Sequence, residues 1–60
     1  MAWLAVDMDK AEFIYDEYPE RGDGVFDPDI KCNFAELPKG TIKKLLGYEL
    51  TWEDEPVELK

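Results

Sequence analysis

Two short segments near the start of the chain have the residue pattern of β-strands. Residues 3–7 form a short, mostly apolar segment, which is typical of a buried strand. In Glu12–Tyr15 successive side chains of an extended chain alternate between faces, so Phe13 and Tyr15 fall on one face and Glu12 and Ile14 on the other. The polar residues 8–11 separate the two segments. The pattern therefore predicts an N-terminal β-hairpin, although its turn has no Asn-Gly or Asp-Gly pair to define the register.

The middle of the chain alternates between loop and strand patterns. Residues 16–24 are acidic and contain one proline and two glycines, which predicts a loop with a short extended piece beside the proline. Residues 25–26 begin a short strand. Residues 27–29, Asp-Pro-Asp, predict a turn, because proline presets φ and aspartate side chains bind nearby amides. Residues 30–37 form a plausible further strand.

One amphipathic segment predicts a helix over residues 38–46. Ile42, Leu45 and Leu46 are spaced at i, i+3 and i+4, so they share one helix face. The leading proline suits a first helical turn, and Gly47 is placed as a C-terminal cap. A helix this short is marginal alone, so we expect it to pack on a sheet.

The last part of the chain completes the predicted fold. Residues 51–54 predict one helical turn at most, and residues 56–59 alternate as an edge strand does. We therefore predict a single α+β domain over residues 1–60, a mainly antiparallel sheet of three to five strands with one short α-helix on one face. The predicted core consists of Trp3, Ala5 or Leu4, Val6, Phe13, Tyr15, Phe34, Ile42, Leu45, Leu46 and Trp52.

The composition argues against an enzyme. The 60 residues include no histidine, serine or glutamine and only one cysteine, against fifteen aspartates and glutamates. Most of the side chains that serve as general base, nucleophile or metal ligand near neutral pH are therefore missing. A chain of this size also has little room for a concave substrate site. We expect no catalysis, no cofactor and no bound metal.

The cysteine and the N-terminus indicate a compartment. Cys32 is the only cysteine, so no disulfide can form within the chain, which favours a reducing environment. We expect Cys32 to fill space, because few cations are available to lower its pKa. The apolar start, residues 1–6, is too short for a signal peptide or a membrane span. These features predict a cytoplasmic protein.

Charge is the strongest compositional signal. The formal net charge is −8, and residues 39–47 carry three lysines and no acid. A surface this negative repels phosphate backbones, so we expect no direct binding to nucleic acid. It attracts basic surfaces, including the DNA-binding groove of another protein.

Two groups of acidic residues are candidate cation sites. Asp7, Asp9 and Glu12 faintly resemble a calcium loop but lack its further ligands and central glycine, which favours turn chemistry. A second group, Asp23, Asp27 and Asp29, places three carboxylates in seven residues. Weak binding of calcium or magnesium there stays open, and a solvated loop is the preferred interpretation.

Both ends of the chain resemble a family of small proteins from phages and mobile elements of gut bacteria. The segments concerned are WLAVD at 3–7, LPKGTIKKLLG at 37–47 and ELTWEDEPVEL at 49–59, together about half the chain. The family often has Asp-Gly in its first turn, where this chain has Lys10 and Ala11. No activity is assigned to the family. The resemblance implies a bacterial or phage cytoplasmic setting and a small helper or regulatory role.

The acidic segment, residues 16–29, is the candidate functional surface. We expect it to dock on a basic surface of a host protein, as DNA-mimic inhibitors do, with charge speeding encounter and aromatic side chains adding affinity. The candidate partner-binding residues are Asp16, Glu17, Tyr18, Glu20, Asp23, Phe26, Asp27 and Asp29. The alternative is a self-associating structural or accessory protein whose acids only keep it soluble.

Overall fold

Four strands form one antiparallel sheet, which is the frame of the molecule. The structure is a computed structural model and describes residues 2–59. In chain order the elements are β1 (Ala2–Val6), β2 (Glu12–Tyr15), β3 (Glu20–Arg21), β4 (Phe26–Asp27), β5 (Phe34–Leu37), α1 (Thr41–Leu46) and β6 (Val57–Leu59). The main sheet has the order β5-β2-β1-β6, and β3 pairs with β4 in a separate ribbon. The predicted α+β class is confirmed.

The N-terminal hairpin turns without a glycine. The Lys10 amide donates to the carbonyl of Asp7 (2.9 Å), and the Asp7 amide donates to the carbonyl of Ala11 (2.9 Å). Lys10 has φ 74°, so a lysine occupies the left-handed position of a type I turn with a bulge, where glycine is usual. The carboxylate of Asp9 accepts the Ala11 amide (3.0 Å) and supports the turn.

Both faces of the sheet are covered, which produces two cores. Successive residues of a strand point to opposite faces, so Leu4 lies on one face and Ala5 on the other. The first face packs against α1. The core on this side consists of the buried residues Leu4, Val6, Ile42 and Leu50. The second face lies under the loops, and its buried residues are Ala5, Tyr15, Phe26 and Cys32. Other parts of the chain therefore cover the sheet on both faces.

The predicted core was wrong at two residues. Phe34 is 54% exposed because it lies on β5, an outer strand of the main sheet. Leu45 is 49% exposed, whereas Ile42 is buried and Leu46 half-buried. A six-residue helix contacts the sheet along a narrow line, and the Ile42–Leu46 spacing of four residues follows that line better than the spacing of three.

The helix begins three residues later than predicted. Residues 38–40 form a turn, in which the Thr41 amide donates to the carbonyl of Pro38 (3.1 Å). Gly40 is the N-cap with φ 91°, a left-handed conformation that other residues rarely adopt. The predicted cap Gly47 is confirmed, with φ 86° and its amide on the carbonyl of Lys43 (2.8 Å).

A side chain from the sheet caps the start of α1. The Glu12 carboxylate accepts the amide of Gly40 (2.8 Å) through Oε2 and the amide of Ile42 (2.9 Å) through Oε1. These amides have no partner within the helix. Glu12 on β2 therefore fixes the position of α1 relative to the sheet.

The predicted strand at residues 30–37 is shorter than expected. Only Phe34–Leu37 is extended, because the Cys32 amide donates to the carbonyl of Asp29 (2.8 Å) and closes a turn before it. Ile30 on that turn is 95% exposed. The predicted C-terminal edge strand is confirmed as β6, which pairs with β1. Across residues 2–59 the structure contains no helix with the length and apolar character needed to cross a membrane.

Candidate functional site: the acidic loop surface

The acidic segment folds as a small hairpin. Its strands β3 and β4 pair in the register Glu20↔Asp27 and Arg21↔Phe26. The tip closes with the Gly22 amide on the carbonyl of Val25 (2.8 Å). A Cβ on Gly22 would collide with the carboxylate of Asp27, so glycine at this position lets that carboxylate lie against the turn.

Phe26 and Arg21 attach this hairpin to the rest of the molecule. Phe26 is buried, and its ring meets Trp52 edge-on at 5.1 Å between centroids. The Arg21 guanidinium lies over both rings, 4.8 Å from Phe26 and 4.5 Å from Trp52. It also donates to the backbone carbonyls of Trp52 and Asp54. Phe26 was expected on the docking surface. The structure instead places it beneath that surface, where it anchors the hairpin.

A buried carboxylate makes a second attachment. Asp7 is 7% exposed, and its Oδ1 accepts the amide of Phe26 (3.0 Å). Burial raises the pKa of Asp7, the hydrogen bond from Phe26 opposes that rise, and repulsion from Asp9 adds to it. The amide of Met8 donates to the carbonyl of Gly24 nearby (3.0 Å). The tip of the hairpin is therefore held at the end of β1.

Asp16 and Cys32 hold the base of the segment. The Asp16 carboxylate accepts the backbone amide (3.0 Å) and the side-chain amide (3.1 Å) of Asn33. Hydrogen bonds from Cys32 and Asn33 lower the pKa of Asp16. Burial and the neighbouring Asp16 raise the pKa of the Cys32 thiol, so it stays protonated. Asp16 thus serves the loop's own structure, and Cys32 fills space as predicted.

Five of the eight candidate residues meet on one surface. They line a shallow depression of about 420 Å³ together with Pro28, and we name it the acidic depression: Glu17, Tyr18, Glu20, Asp27 and Asp29. Asp23 lies outside it, between β3 and β4 at the hairpin tip. Two further candidates, Asp16 and Phe26, are engaged within the molecule.

No cation of the described chain neutralises the acidic depression. Across residues 2–59 the one ion pair joins Arg21 to Glu55 at 3.9 Å. The register sets Glu20 directly opposite Asp27, and like charges in that relation destabilise a ribbon. Among the four acids, only Asp29 binds a backbone amide of residues 2–59, that of Ile30 (2.6 Å). The depression is therefore a negative surface with unused hydrogen-bond acceptors.

Tyr18 forms a rigid apolar part of the depression. Its ring meets Trp3 edge-on at 4.9 Å, and its hydroxyl lies 3.5 Å from Oε2 of Glu55. It is 49% exposed, so one part is packed and the other faces solvent. A partly packed tyrosine contributes contact area to a partner at little cost in conformational entropy.

The two candidate cation sites of the sequence analysis do not form within residues 2–59. Asp9 supports the turn and Glu12 caps α1, while Asp7 binds Phe26, so the three carboxylates serve different backbone amides. Within residues 2–59 no three potential ligands converge on a point that could hold a metal ion. Asp23 does not line the depression to which Asp27 and Asp29 belong.

A cleft larger than the acidic depression lies elsewhere and was not expected from the sequence. It measures about 650 Å³ and opens between the first hairpin turn, the start of α1 and residues 49–53. Ionisable residues of both signs line it, among them Lys39, Lys43 and Glu49. Two of its carboxylates, those of Asp7 and Glu12, are bound to backbone amides. The mixture of charges favours no single class of ligand.

Comparisons with known proteins gave no relative. No protein-family model, no curated protein and no solved structure matches this chain. The resemblance to phage and mobile-element proteins stays a prediction.

Proposed function

We propose that this chain is a non-catalytic protein-binding module, encoded by a phage or mobile element, that acts in the bacterial cytoplasm. Its acidic depression docks on a basic surface of a host protein, such as the nucleic-acid-binding groove that a DNA mimic would block. The observation that carries the proposal is the Glu20↔Asp27 pair, two acidic residues at opposed backbone positions of the ribbon, neither of which forms an ion pair within residues 2–59.

The electrostatics of that pair favour a cationic partner. Opposed like charges on neighbouring strands cost on the order of 0.2–1 kcal/mol. A lysine or arginine placed between them removes the repulsion, so the partner's cation gains more than it would from one carboxylate. The net charge of −8 also speeds encounter with a positive surface.

Rigidity of the hairpin adds to the expected affinity. Arg21, Asp7 and Asp16 each hold a different part of the segment by hydrogen bonds. The carboxylates of the depression are therefore positioned before the partner arrives, which reduces the entropy lost on binding. Tyr18 then supplies the apolar contact that charge alone lacks.

The proposal is tested by capture of partners from a bacterial lysate. The test variant neutralises three acids of the depression: Glu20→Gln, Asp27→Asn and Asp29→Asn. The control neutralises three exposed acids elsewhere: Asp23→Asn, Glu49→Gln and Glu53→Gln. Both raise the net charge by three, so the two variants are matched in total charge and differ in where the acids are neutralised. We expect the test variant to lose a basic partner that the control retains, with quantitative mass spectrometry as the readout. Equal capture by both would reject the depression as the docking surface.

Exposed apolar side chains favour a second candidate, self-association with a merely solubilising charge. Phe34 is 54% exposed, and Tyr48 is also exposed. Burying such residues between copies is a common supplement to a small core. Sedimentation at micromolar concentration separates the two proposals. A stable oligomer without a captured partner favours the second, and a monomer favours the first.

A further inference from the structure

The strand β5 is an unpaired edge of the main sheet. It pairs with β2 on one side, and no other described strand lies on its second side. Phe34, Ala35 and Glu36 are exposed and Leu37 is half-buried. An open edge of this kind is a ready template for a further strand unless something covers it.

The register identifies which backbone groups of β5 face outward. The Asp16 amide donates to the carbonyl of Asn33, so the next hydrogen-bonded pairs of the antiparallel ladder are Ile14↔Ala35 and Glu12↔Leu37. The amides and carbonyls of Phe34 and Glu36 then point away from β2. Within residues 2–59 these outward groups have no backbone partner outside the sheet.

The side chains along β5 define what an added strand would carry. Phe34 and Glu36 lie on one face of the sheet, and Ala35 and Leu37 lie on the other. A cross-strand neighbour of Glu36 is stabilised by positive charge, and a neighbour of Phe34 by an aromatic or β-branched side chain. These two neighbours are two residues apart on the added strand.

The acidic depression adjoins one end of this edge. The Cys32 thiol, two residues before β5, lies 3.8 Å from the carbonyl of Glu17, and the Cys32 amide binds the carbonyl of Asp29. Glu17 and Asp29 both line the depression. Cys32 therefore links the depression to the segment that leads into β5.

We infer that an extended cationic segment of the partner pairs with β5 as a fifth strand. A lysine or arginine lies beside Glu36, and an aromatic or β-branched residue two positions away lies beside Phe34. This inference depends on the proposed function for the positive charge of the partner, and it adds the mode of binding, strand addition through main-chain hydrogen bonds.

A second copy of this chain fits the edge poorly. Antiparallel self-pairing along the full length of β5 sets Glu36 opposite Phe34 or opposite Glu36 itself, because opposed residues must lie on the same face. Two bodies of net charge −8 also repel each other. A cationic segment has neither penalty.

The test uses a synthetic eight-residue peptide in which lysine alternates with valine and tyrosine replaces one central lysine, so that the tyrosine and a lysine lie two residues apart on the same face. The control peptide has the same lysines with proline in place of the central valines, so it keeps the charge and cannot pair as a strand. We expect the first peptide, and not the control, to shift the amide resonances of Phe34 and Glu36 and to protect them from hydrogen exchange.

Two variants of one residue separate charge from pairing. Glu36→Gln keeps the outward amide, and we expect about threefold weaker binding from the lost charge. Glu36→Pro also removes the outward donor, and we expect about a tenfold or greater loss. The Glu36 amide points away from β2, so proline there leaves the internal ladder intact, and an unchanged Trp fluorescence spectrum checks this.

The remaining outcomes decide against the inference in distinct ways. Peptide shifts confined to the depression, unchanged in Glu36→Pro, would overturn strand addition and leave the proposed function standing. Equal resonance shifts from both peptides, or no shift at β5 from either, would also overturn strand addition and leave the proposed function standing. Protection of β5 amides without peptide, together with a dimer in sedimentation, would make a second copy the occupant and overturn the inference.

Discussion

At the scale of single residues, the buried carboxylate of Asp7 makes stability depend on pH. The pKa of Asp7 is raised in the folded state, so the folded chain binds its proton more tightly than the unfolded chain does. The charged form therefore destabilises the fold at neutral pH. This penalty disappears as the pH falls through the folded-state pKa towards the ordinary value of 3.8.

Two substitutions of Asp7 distinguish its charge from its hydrogen bond. Asp7→Asn removes the charge and keeps an acceptor for the Phe26 amide, so we expect a more stable protein at pH 7 and no difference from wild type in acid. Asp7→Ala leaves that buried amide without a partner and should cost about 1–3 kcal/mol in acid, and less at pH 7, where it also removes the charge penalty. Urea unfolding at both pH values measures this. A stability gain for Asp7→Asn that persists in acid would contradict the assignment.

The left-handed backbone conformation of Lys10 gives a second prediction for a single residue. Lys10→Gly should raise the free energy of unfolding by about 1 kcal/mol or less, because glycine adopts φ 74° without the strain of a Cβ. Lys10→Ala is the matched control, since it makes the same charge change and keeps the strain. Equal stability of the two variants would show that the backbone conformation is not the cause.

At the scale of elements, the helix depends on a side chain of the sheet. Glu12→Ala removes both capping contacts to α1 and should cost about 1–2 kcal/mol with a loss of helical circular dichroism. Glu12→Gln retains one acceptor and should lose less. Glu53→Ala, an exposed acid, is the control. An effect of Glu12→Ala no larger than that of Glu53→Ala would remove the proposed link between β2 and α1.

Elements with local signals were predictable, and those built from distant contacts were not. The alternation in Glu12–Tyr15 and the glycine after α1 are local, and both predictions are confirmed. The cap from Glu12 to Ile42 spans 30 residues, and Arg21 reaches Trp52 across 31. Spacing within the sequence carries no signal for contacts of this range.

The same reasoning explains the partial prediction of the site. The concentration of acids in the segment was visible in the sequence, and five of the eight candidates meet in the depression. The burial of Phe26 within the molecule was not visible, because an aromatic residue of a short strand between acidic residues was interpreted as a contact for a partner. The apolar second face of the sheet is what draws it inward. An apolar residue on both sides of a strand, such as Leu4 beside Ala5, was the available signal.

At the scale of the whole molecule, the pair Glu20 and Asp27 lowers the stability of the free protein and, in the proposed function, favours binding of a cationic partner. Glu20→Gln removes half of an opposed like-charge pair and should stabilise the free protein by about 0.2–1 kcal/mol at low salt. The gain should shrink at high salt, because screening weakens the repulsion in the wild type. Thermal or urea unfolding at two ionic strengths measures it. A loss of stability would mean that Glu20 has a structural role.

The central claim is that position, and not total charge, makes the acidic depression a docking surface. The most direct measurement is quantitative capture by two variants of equal charge, one neutralised at Glu20, Asp27 and Asp29 and the other at Asp23, Glu49 and Glu53. The account predicts that only the first loses the basic partner. Equal capture by the two variants, whether both high or both low, would contradict it.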